Sequence, residues 1–384
     1  MTDAPADPIA VYVHWPYCAR ICPYCDFNVY RDRGRRAEQE ALAAAIVADL
    51  TAQAARIGPR RLVCLFFGGG TPSLMDPAWT EAIVRAATTL FPPDGPVEIT
   101  LEANPTDAEA ERYAGFARAG VNRLSLGVQA LDDAALAFLG RDHDAAEAVR
   151  AAERARAAFP RLSIDLIYAR PDQGEAAWRD ELTRALDVFA PEHVSPYQLT
   201  IEAGTAFDRA VARGRFAPPQ DALGAALFDA TQAVLEGRGF EAYEVSNHAL
   251  GPAARSAHNL AVWRGVEYLG AGPGAHGRVV RDGVRTATRA ASRPRDYLAA
   301  VEATGEGLDE IEPLTEREAA EERVMLGLRV AEGLPEAALA PLALEPGALE
   351  GLIDHGLLRR DGDRIAATAQ GRLVLDRVIA ALLT

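Results

Sequence analysis

The 384-residue sequence contains no lysine, so arginine carries every permanent positive charge of its side chains. The 55 acidic residues outnumber the 40 arginines, which gives a formal net charge of −15. A balance this negative argues against broad electrostatic binding to nucleic acid or to anionic lipid. We therefore expect no nucleic-acid partner, and we interpret the missing lysine as a compositional bias without functional meaning.

Cysteine is scarce, and long apolar runs are missing. Three of the four cysteines crowd into one loop and the fourth is isolated, which does not suit a disulfide framework and favours a reducing compartment. No uninterrupted apolar segment is long enough to cross a bilayer. The first eight residues have neither a basic start nor an apolar stretch. The sequence therefore predicts a cytoplasmic protein.

The crowded cysteines are Cys18, Cys22 and Cys25, spaced C-x3-C-x2-C. This spacing supplies three thiolates where a cuboidal iron–sulfur cluster takes four ligands, so one iron is left open. The alternative is a zinc knuckle, which closes its tetrahedron with a fourth Cys or His. Cys64 lies in an apolar run typical of a small buried residue, and His14 precedes the loop in strand-like alternation. The pattern favours the iron–sulfur cluster over zinc.

Strand-like runs alternate with amphipathic stretches from residue 11 to about 202, the pattern of a parallel sheet with crossover helices. The predicted strands are Ala10–His14, Leu62–Phe67, Val97–Glu102, Arg123–Gln129, Leu162–Tyr168 and His193–Thr200. The predicted helices between them are Glu38–Ile57, Trp79–Leu90, Asp107–Ala119, Ala145–Phe159 and Glu175–Phe189. Six such units predict an α/β fold, a partial (β/α)6 barrel.

Polar and glycine-rich segments follow these strands. They are the cysteine loop, Gly68–Ser73, Glu102–Pro105, Gly127–Gln129, Asp165 with Tyr168, and Tyr197–Gln198. Each also has a purely structural interpretation as a tight turn or a helix cap. Because the carboxyl ends of barrel strands meet at one mouth, we expect these segments to share a pocket with the cysteines.

Beyond a proline-rich break at 217–219 the pattern becomes irregular, and we predict three regions: 1–240, 241–310 and 311–384. The second is an irregular extension. The third combines helices with an Asp361-Gly-Asp363 hairpin turn and a last helix, Gly371–Leu383, which predicts a winged-helix-like module. Its acidic balance favours a role in packing or partner contact over DNA binding.

The cysteine loop, the Gly-Gly-Gly-Thr-Pro turn and Glu102 on successive strands resemble the radical S-adenosylmethionine (SAM) superfamily. The resemblance covers nearly the whole chain and is strongest to the oxygen-independent coproporphyrinogen III oxidase (HemN-like) family. It implies a partial radical SAM barrel whose 4Fe-4S cluster binds SAM at its open iron. The cofactor supplies the difficult chemistry and the barrel positions it.

Site residues implied by this resemblance fall into two groups. The cluster ligands are Cys18, Cys22 and Cys25. The SAM-site residues are Tyr12, Tyr24, Gly69, Gly70, Thr71, Glu102, Gln129, Arg141, Asp165 and Gln198. Several of these positions serve a second SAM in the oxidase, so one or two SAM molecules remain open.

Two departures from the oxidase resemble the HemW-like heme chaperones of the same family. Phe27 stands where the oxidase has a further cysteine, and only a short segment precedes the cysteine loop. The HemW-like H-N-x-x-Y-W segment is matched by His258-Asn-Leu-Ala-Val-Trp263, with Val262 in place of Tyr. The resemblance implies His258 as a metal ligand to heme iron, with His276 and His248 as alternatives.

The resemblance implies a heme chaperone that holds heme and delivers it to apoproteins. The alternative is an enzyme, an oxygen-independent coproporphyrinogen III oxidase. Membrane-associated protein partners and a homodimer also remain open at this point.

Overall fold

The structure is a computed structural model that describes residues 6–383. Residues 1–5, part of the segment in which the sequence predicts no targeting signal, lie outside the described residues, as does residue 384. Among the helices of the described chain, none is both long and apolar enough to pass through a bilayer.

The strands form one large sheet and two small ones. In chain order they are β1 (Pro8–Trp15), β2 (Tyr17–Cys18), β3 (Tyr30–Arg31), β4 (Arg61–Gly69), β5 (Glu98–Ala103), β6 (Arg123–Gln129), β7 (Arg161–Tyr168), β8 (His193–Gln198), β9 (Glu241–Ala242), β10 (His248–Ala249), β11 (Glu267–Ala271), β12 (His276–Arg281), β13 (Val284–Ala290), β14 (Leu308–Pro313), β15 (Leu334–Pro335), β16 (Leu358–Asp361) and β17 (Arg364–Ala367).

Most of the longer helices follow strands of the large sheet. They are α1 (Arg36–Ile57), α2 (Pro77–Leu90), α3 (Asp107–Ala110), α4 (Tyr113–Arg118), α5 (Asp133–Phe138), α6 (Ala145–Ala158), α7 (Glu175–Phe189), α8 (Ala206–Ala212), α9 (Asp221–Gly237), α10 (Ala257–Trp263), α11 (Pro294–Thr304), α12 (Glu316–Gly327), α13 (Ala348–Asp354), α14 (Ala369–Leu373) and α15 (Leu375–Leu383). Short 3-10 helices occur at Pro72–Leu74, Pro252–Ala254 and Glu336–Leu339.

Six adjacent parallel strands, in the order β1-β4-β5-β6-β7-β8, form the centre of the large sheet. This arrangement confirms the predicted α/β partial barrel. Each strand is mostly buried because helices cover one face and the barrel interior lies on the other. Helix α6 illustrates the match: Ala148, Ala151, Ala152 and Ala155 repeat at helical spacing and are all buried.

The segment 241–310 is more regular than the sequence predicts. Strand β11 pairs in parallel with β1, and β12, β13 and β14 continue the same sheet in antiparallel order. The prediction of an irregular extension was therefore wrong for this part. Its glycines concealed the strands, because Gly270 and Gly277 allow β11 and β12 to approach more closely than a Cβ would permit.

Two predicted helices are each divided. The 107–119 stretch forms α3 and α4, separated where the Arg112 guanidinium donates to the carbonyls of Leu74 and Met75. The last predicted helix divides into α14 and α15 at Val374. Both breaks depend on tertiary contacts or local turns that helical periodicity does not report.

The C-terminal part forms a small antiparallel sheet, in the order β15-β17-β16, with helices α12 to α15 around it. The predicted hairpin turn joins β16 to β17, which confirms it. This part has its own apolar cluster, separate from that of the barrel. The three-region division itself stays a prediction.

Candidate functional site

The cysteine loop begins at the carboxyl end of β1 and is closed by backbone hydrogen bonds. Cys18 in β2 pairs with Arg31 in β3, and the Asp32 amide donates to the Cys18 carbonyl at 2.8 Å. Within the loop, the Cys25 amide donates to the Cys22 carbonyl at 3.2 Å. The loop is therefore a defined turn fixed at the barrel mouth.

Each of the three sulfurs has a different hydrogen-bond donor. The Thr71 hydroxyl lies against Cys18, the Arg141 Nη1 is 3.3 Å from the Cys22 sulfur, and the Phe27 amide donates to Cys25. Burial raises the pKa of the Cys18 thiol to about 12 and raises the pKa of Cys25 as well. Cluster binding at this loop would therefore release protons, because the ligands are thiolates.

The donor set is consistent with a cuboidal cluster. All three cysteines are free thiols, and within residues 6–383 no three His, Cys, Asp or Glu side chains converge on a single metal position. A cuboidal cluster offers a separate iron to each thiolate. Cys64 is fully buried in the core, as its apolar surroundings indicated.

The turn after β4 lies directly against the start of the cysteine loop. The Gly70 amide donates to the Trp15 carbonyl at 2.7 Å, and the Thr71 amide donates to the Tyr17 carbonyl at 2.8 Å. A Cβ on Gly70 would lie 2.7 Å from that Tyr17 oxygen. Gly69 has a φ of +107°, a conformation that favours glycine. The glycines therefore permit the close approach of these two segments.

Arg141 and Asn104 connect the cysteine loop to three strand ends. The Arg141 Nη2 donates to the Asn104 side-chain oxygen and, at 3.1 Å, to the Gly127 carbonyl. The Asn104 Nδ2 donates to the Thr71 hydroxyl at 3.1 Å. A continuous chain of polar contacts thus runs from Cys22 to Thr71 and on to Cys18. Asn104 was absent from the predicted site residues, although its position just beyond a strand end was the available signal.

The two predicted tyrosines have different positions. Tyr24 lies beside Cys22 and Arg141 and packs on Phe207, and burial raises the pKa of its hydroxyl. Tyr12 lies deeper, with its hydroxyl 3.0 Å from the His14 Nδ1, and burial raises its pKa too. Only Tyr24 therefore adjoins the cysteine sulfurs directly.

Two carboxyl groups project into the barrel interior below this mouth. Glu102 accepts a hydrogen bond from the Gly69 amide at 3.3 Å, and burial together with the Asp165 charge raises its pKa to about 8. Burial raises the pKa of Asp165 to about 6, opposed by hydrogen bonds from Ser195 and Ser125. The interior therefore has acceptors for a cationic or ammonium-bearing ligand at the mouth.

The two glutamines predicted for the SAM site make fewer contacts with the cysteine loop and its neighbours. Gln129 ends β6 with a φ of +66°, next to a bulge against β7. Gln198 is exposed at the end of β8, and its amide nitrogen is 3.3 Å from where a Cβ on Gly224 would lie. Among the described residues, no side-chain hydrogen bond links either glutamine to the cysteine loop.

His258 lies inside an aromatic stack at the N-terminus of α10. Its ring centroid is 4.4 Å from that of Phe66 and 5.9 Å from that of Tyr12. Burial and the nearby Arg123 charge lower its pKa to about 4, so the imidazole is neutral at pH 7. The His258 Nδ1 is buried and has no hydrogen-bond partner in residues 6–383.

The alternative histidines have other surroundings. The His248 Nε2 is 3.0 Å from the Gln232 side-chain oxygen, and burial lowers its pKa to about 4. His276 begins β12 and is exposed, and partial burial lowers its pKa. Of the three, only His258 stacks between aromatic rings.

A cavity of about 590 Å³ borders the helix that carries His258. It lies at the amino ends of β4 to β7, opposite the cysteine loop, and α10 contributes three apolar residues to it. Its lining is Val63, Pro96, Val97, Glu98, Asn122, Pro160, Arg161, Pro252, Ala253, Arg255, Ala257, Leu260, Ala261, Arg264 and Val266. This size is typical of small-molecule sites. Nothing in the sequence pattern predicted it, because its walls come from five separate segments.

Comparison with known proteins places this architecture in a family. A family model for the radical SAM superfamily matches residues 12–185, and one for the HemN C-terminal domain matches residues 314–374. Heme chaperone HemW from Mycobacterium tuberculosis is 35% identical, with 100% of this chain and 97% of that protein aligned. The chain belongs to the radical SAM superfamily, in the HemN-like family that includes HemW.

Other relatives extend this assignment. The mitochondrial radical S-adenosyl methionine domain-containing protein 1 of Bos taurus is 38% identical to this chain. The alignment covers 98% of this chain and 87% of the bovine protein. A solved structure of coproporphyrinogen III oxidase (HemN) from Escherichia coli covers 100% of this chain and 92% of that one, with a TM-score of 0.81. At 21% identity, that likeness shows the shared fold. The family implies a 4Fe-4S cluster and SAM, which the donor set at the barrel mouth fits.

Proposed function

We propose that this protein is a cytoplasmic heme chaperone that binds a 4Fe-4S cluster, SAM and heme and delivers heme to apoproteins. Relatives 31–38% identical support the proposal, since several of them are named heme chaperone HemW. The observation that carries it is His258, whose ring has a buried nitrogen without a hydrogen-bond partner in the described residues and whose helix borders a cavity of about 590 Å³.

At the carboxyl end of the barrel, Cys18, Cys22 and Cys25 would hold the cluster. A bound cluster supplies one-electron chemistry and an open iron for the amino and carboxylate groups of SAM. The hydrogen bonds from Thr71, Arg141 and the Phe27 amide would stabilise the thiolate ligands. Glu102 and Asp165 would face SAM from the barrel interior. The other SAM-site assignments are those that the family implies.

The proposed heme end combines the His258 imidazole, which stacks on Phe66 and Tyr12, with the apolar wall and the cations of the cavity that borders its helix. Heme is a broad apolar ring that carries two carboxylates, and a neutral imidazole is a usual ligand of its iron. Ala257, Leu260 and Ala261 would cover the ring, while Arg255 and Arg264 line the same cavity and would exchange their pairs with Glu241 and Glu332 for the propionates. The Arg255 Nε is buried without a hydrogen-bond partner in the described chain. Arginine suits the propionate carboxylates because its planar fork binds them bidentately.

Heme titration tests this assignment. Anaerobically reconstituted wild-type protein should develop a Soret band, and His258→Ala should weaken its heme affinity at least about tenfold, which is about 1.4 kcal/mol. His276→Ala is the matched control and should bind as the wild type does. Unchanged binding by His258→Ala would reject His258 as the ligand.

Delivery and enzymatic activity are tested on the same preparation. Heme-loaded protein should transfer heme to apomyoglobin, used as a generic acceptor, at a rate above free dissociation into buffer. Incubation with SAM, a reductant and coproporphyrinogen III should leave the porphyrinogen unchanged. Formation of decarboxylated product would replace the chaperone proposal with the oxidase.

A further inference from the structure

The first amide of α10 is bound by a carboxylate at the amino end of the barrel. Glu98 is the first residue of β5, and its Oε1 accepts a hydrogen bond from the Ala257 amide at 2.9 Å. Amides in the first turn of a helix have no partner within the helix, so an acceptor from outside satisfies this one. Ala257 immediately precedes His258, the proposed heme ligand. Glu98 therefore acts on the backbone one residue away from that imidazole.

Two further side chains hold the residues just before α10. The Arg161 Nη2 donates to the Arg255 carbonyl at 3.2 Å, and the Tyr243 hydroxyl accepts from the Ser256 amide at 3.3 Å. Each of the three consecutive residues 255–257 thus has a backbone group bonded to a side chain of another segment. Together these contacts fix the place at which the helix starts.

Glu98 is itself held by two arginines. Its Oε2 is 2.5 Å from the Arg161 Nη1 and 3.9 Å from the Arg123 Nε. The Glu98 side chain is only 5% exposed. Hydrogen bonds between ionised groups are among the strongest in proteins, so they restrict the carboxylate to one orientation. The acceptor of the Ala257 amide is therefore rigid.

The position of the His258 ring depends on the start of α10. The ring lies 4.4 Å from Phe66 and 5.9 Å from Tyr12 between centroids. The helix spans only Ala257–Trp263, about two turns. Helices this short are not stable by their own hydrogen bonds and depend on contacts with the rest of the protein. A displaced first turn would move the imidazole out of its aromatic stack.

We propose that Glu98 is a positioning residue for His258. It holds the Ala257 amide, and through it the first turn of α10, so that the imidazole stays beside Phe66 and Tyr12. The inference rests on the proposed function, in which His258 binds heme iron. Glu98 acts through the backbone of the helix and is not an iron ligand.

Glu98 also lines the cavity, which gives a second interpretation with the opposite outcome. Its negative charge would repel the propionate carboxylates of heme, and its removal would free Arg161 to bind one of them. As a lining residue alone, Glu98 opposes heme binding, and its loss should strengthen heme affinity. As a positioning residue it supports binding, and its loss should weaken heme affinity.

The test compares Glu98→Ala with Glu181→Ala. The two glutamates are matched because each is 9% exposed and pairs with an arginine, which is Arg170 for Glu181. Glu181 also accepts a backbone amide, that of Leu131, at 2.9 Å. It lies on α7 and binds a residue just beyond the carboxyl end of β6, away from α10. Both variants should therefore be less stable, and only one should affect His258.

Hydrogen exchange of the segment 256–263 is measured by mass spectrometry on each reconstituted protein without heme, and the same preparations are then titrated with heme. Glu98→Ala should speed exchange in this segment at least about tenfold, because the helix start loses its acceptor. It should also weaken heme affinity at least about tenfold. Glu181→Ala should keep the wild-type exchange of this segment and the wild-type heme affinity.

Free imidazole gives a spectroscopic readout that a general loss of stability would not move. If Glu98→Ala displaces His258 from the iron, added imidazole should occupy the vacant position and restore the wild-type Soret spectrum. His258→Ala should respond in the same way. Glu181→Ala should have the wild-type spectrum without imidazole.

Glu98→Gln takes the place of Glu98→Ala if the alanine variant does not fold. The glutamine keeps the shape of the side chain but has a single oxygen, which the Arg161 guanidinium attracts. The Ala257 amide should again lose its acceptor, so exchange and heme affinity should change in the same direction. Glu181→Gln is then the control.

The outcomes separate the explanations. Wild-type exchange of the segment 256–263 in the Glu98 variant overturns the positioning role, and so does an equal increase in the Glu181 variant. Tighter heme binding by the Glu98 variant overturns it in favour of a lining residue. Unchanged heme binding by both His258→Ala and the Glu98 variant, with faster exchange in the latter, rejects His258 as the heme ligand. That result would be a failure of the proposed function, because the exchange would still show Glu98 anchoring α10.

Discussion

The two ends of the barrel are built on different principles. At the carboxyl end, short loops carry cysteines and polar side chains that are joined by hydrogen bonds from Cys22 through Arg141 and Asn104 to Thr71. At the amino end, α10 contributes Ala257, Leu260 and Ala261 to a cavity, while the ring of His258 on the same helix stacks on Phe66 and Tyr12 in the barrel interior. The first end is suited to a charged inorganic cluster and a polar cofactor, and the second to a broad apolar ligand.

Under the proposed function, one barrel would hold two ligands. Loops at strand ends can change without disturbing the core, so the cysteine loop and its partners form a local polar site. The amino end instead depends on α10 packing against β1, β4 and β11. Changes at one end are therefore expected to leave the other largely intact, and each experiment below tests that separation.

The largest effect is expected for Cys22→Ala. Removing one of three thiolates leaves too few ligands to retain a cuboidal cluster, so bound iron should fall close to zero. Iron and sulfide analysis after anaerobic reconstitution checks this. Cys64→Ala is the matched control, because Cys64 is buried in the core away from the loop. Iron retained by Cys22→Ala would remove the basis for the cluster site.

The next effect concerns the stability of the fold and its dependence on the ionisation of the buried Asp49 carboxyl. Asp49 in α1 accepts hydrogen bonds from the Tyr297 hydroxyl at 2.7 Å and the Gly307 amide at 3.0 Å. Burial raises its pKa to about 6. The folded state therefore holds the proton more tightly than the unfolded chain, whose pKa is about 3.9. Stability from this group is complete below the unfolded pKa and is lost as the pH rises through about 6.

Urea unfolding of the wild type and Asp49→Asn at pH 4.5 and 7.5 measures this effect. The free energy of unfolding of the wild type should fall by about 2 kcal/mol relative to the variant between these pH values. Asn cannot ionise, so the variant lacks this contribution. A difference between the two proteins that does not change with pH would show that Asp49 ionises normally.

A smaller effect is expected for Asn104→Ala. The change removes the link between Arg141 and Thr71, at a cost of about 1–3 kcal/mol for the polar groups left unpaired. The cluster should still form but lose iron to a chelator faster than in the wild type. Heme affinity should not change. Asn122→Ala, which removes hydrogen bonds to Ile99 and Val97 at the opposite end, serves as the control and should keep the wild-type rate of iron loss.

The smallest expected effect tests the amino end alone. Leu260→Asp places a charge at the apolar cavity and should weaken heme affinity about tenfold, because burying an unpaired carboxylate is costly. Leu223→Asp introduces the same charge at an exposed position and should have no effect. Iron content should be the same in both variants. Equal heme affinity would place the heme elsewhere.

The cysteine end could be predicted from sequence more fully than the amino end. All six central strands were located because each is a short buried run followed by a turn, and the cysteine spacing is local. Asn104 and the turn at Gly69 were recognisable as polar or glycine positions after strands. Their mutual contacts were not, because they depend on how neighbouring strands are placed.

The amino end depends on contacts between distant segments. His258 was found through its motif, but its stack with Phe66 joins residues almost two hundred positions apart. The cavity draws residues from segments between Val63 and Val266. Sequence periodicity predicts elements, and these features arise only when the elements assemble.

The most direct test measures iron and heme on the same anaerobic preparations of wild type, Cys22→Ala and His258→Ala. If the two ends bind their ligands independently, Cys22→Ala should lose iron but titrate with heme as the wild type does. His258→Ala should keep its iron and lose heme affinity. Loss of both ligands in either variant, with the fold intact by circular dichroism, would contradict the assignment of the two ligands to opposite ends of the barrel.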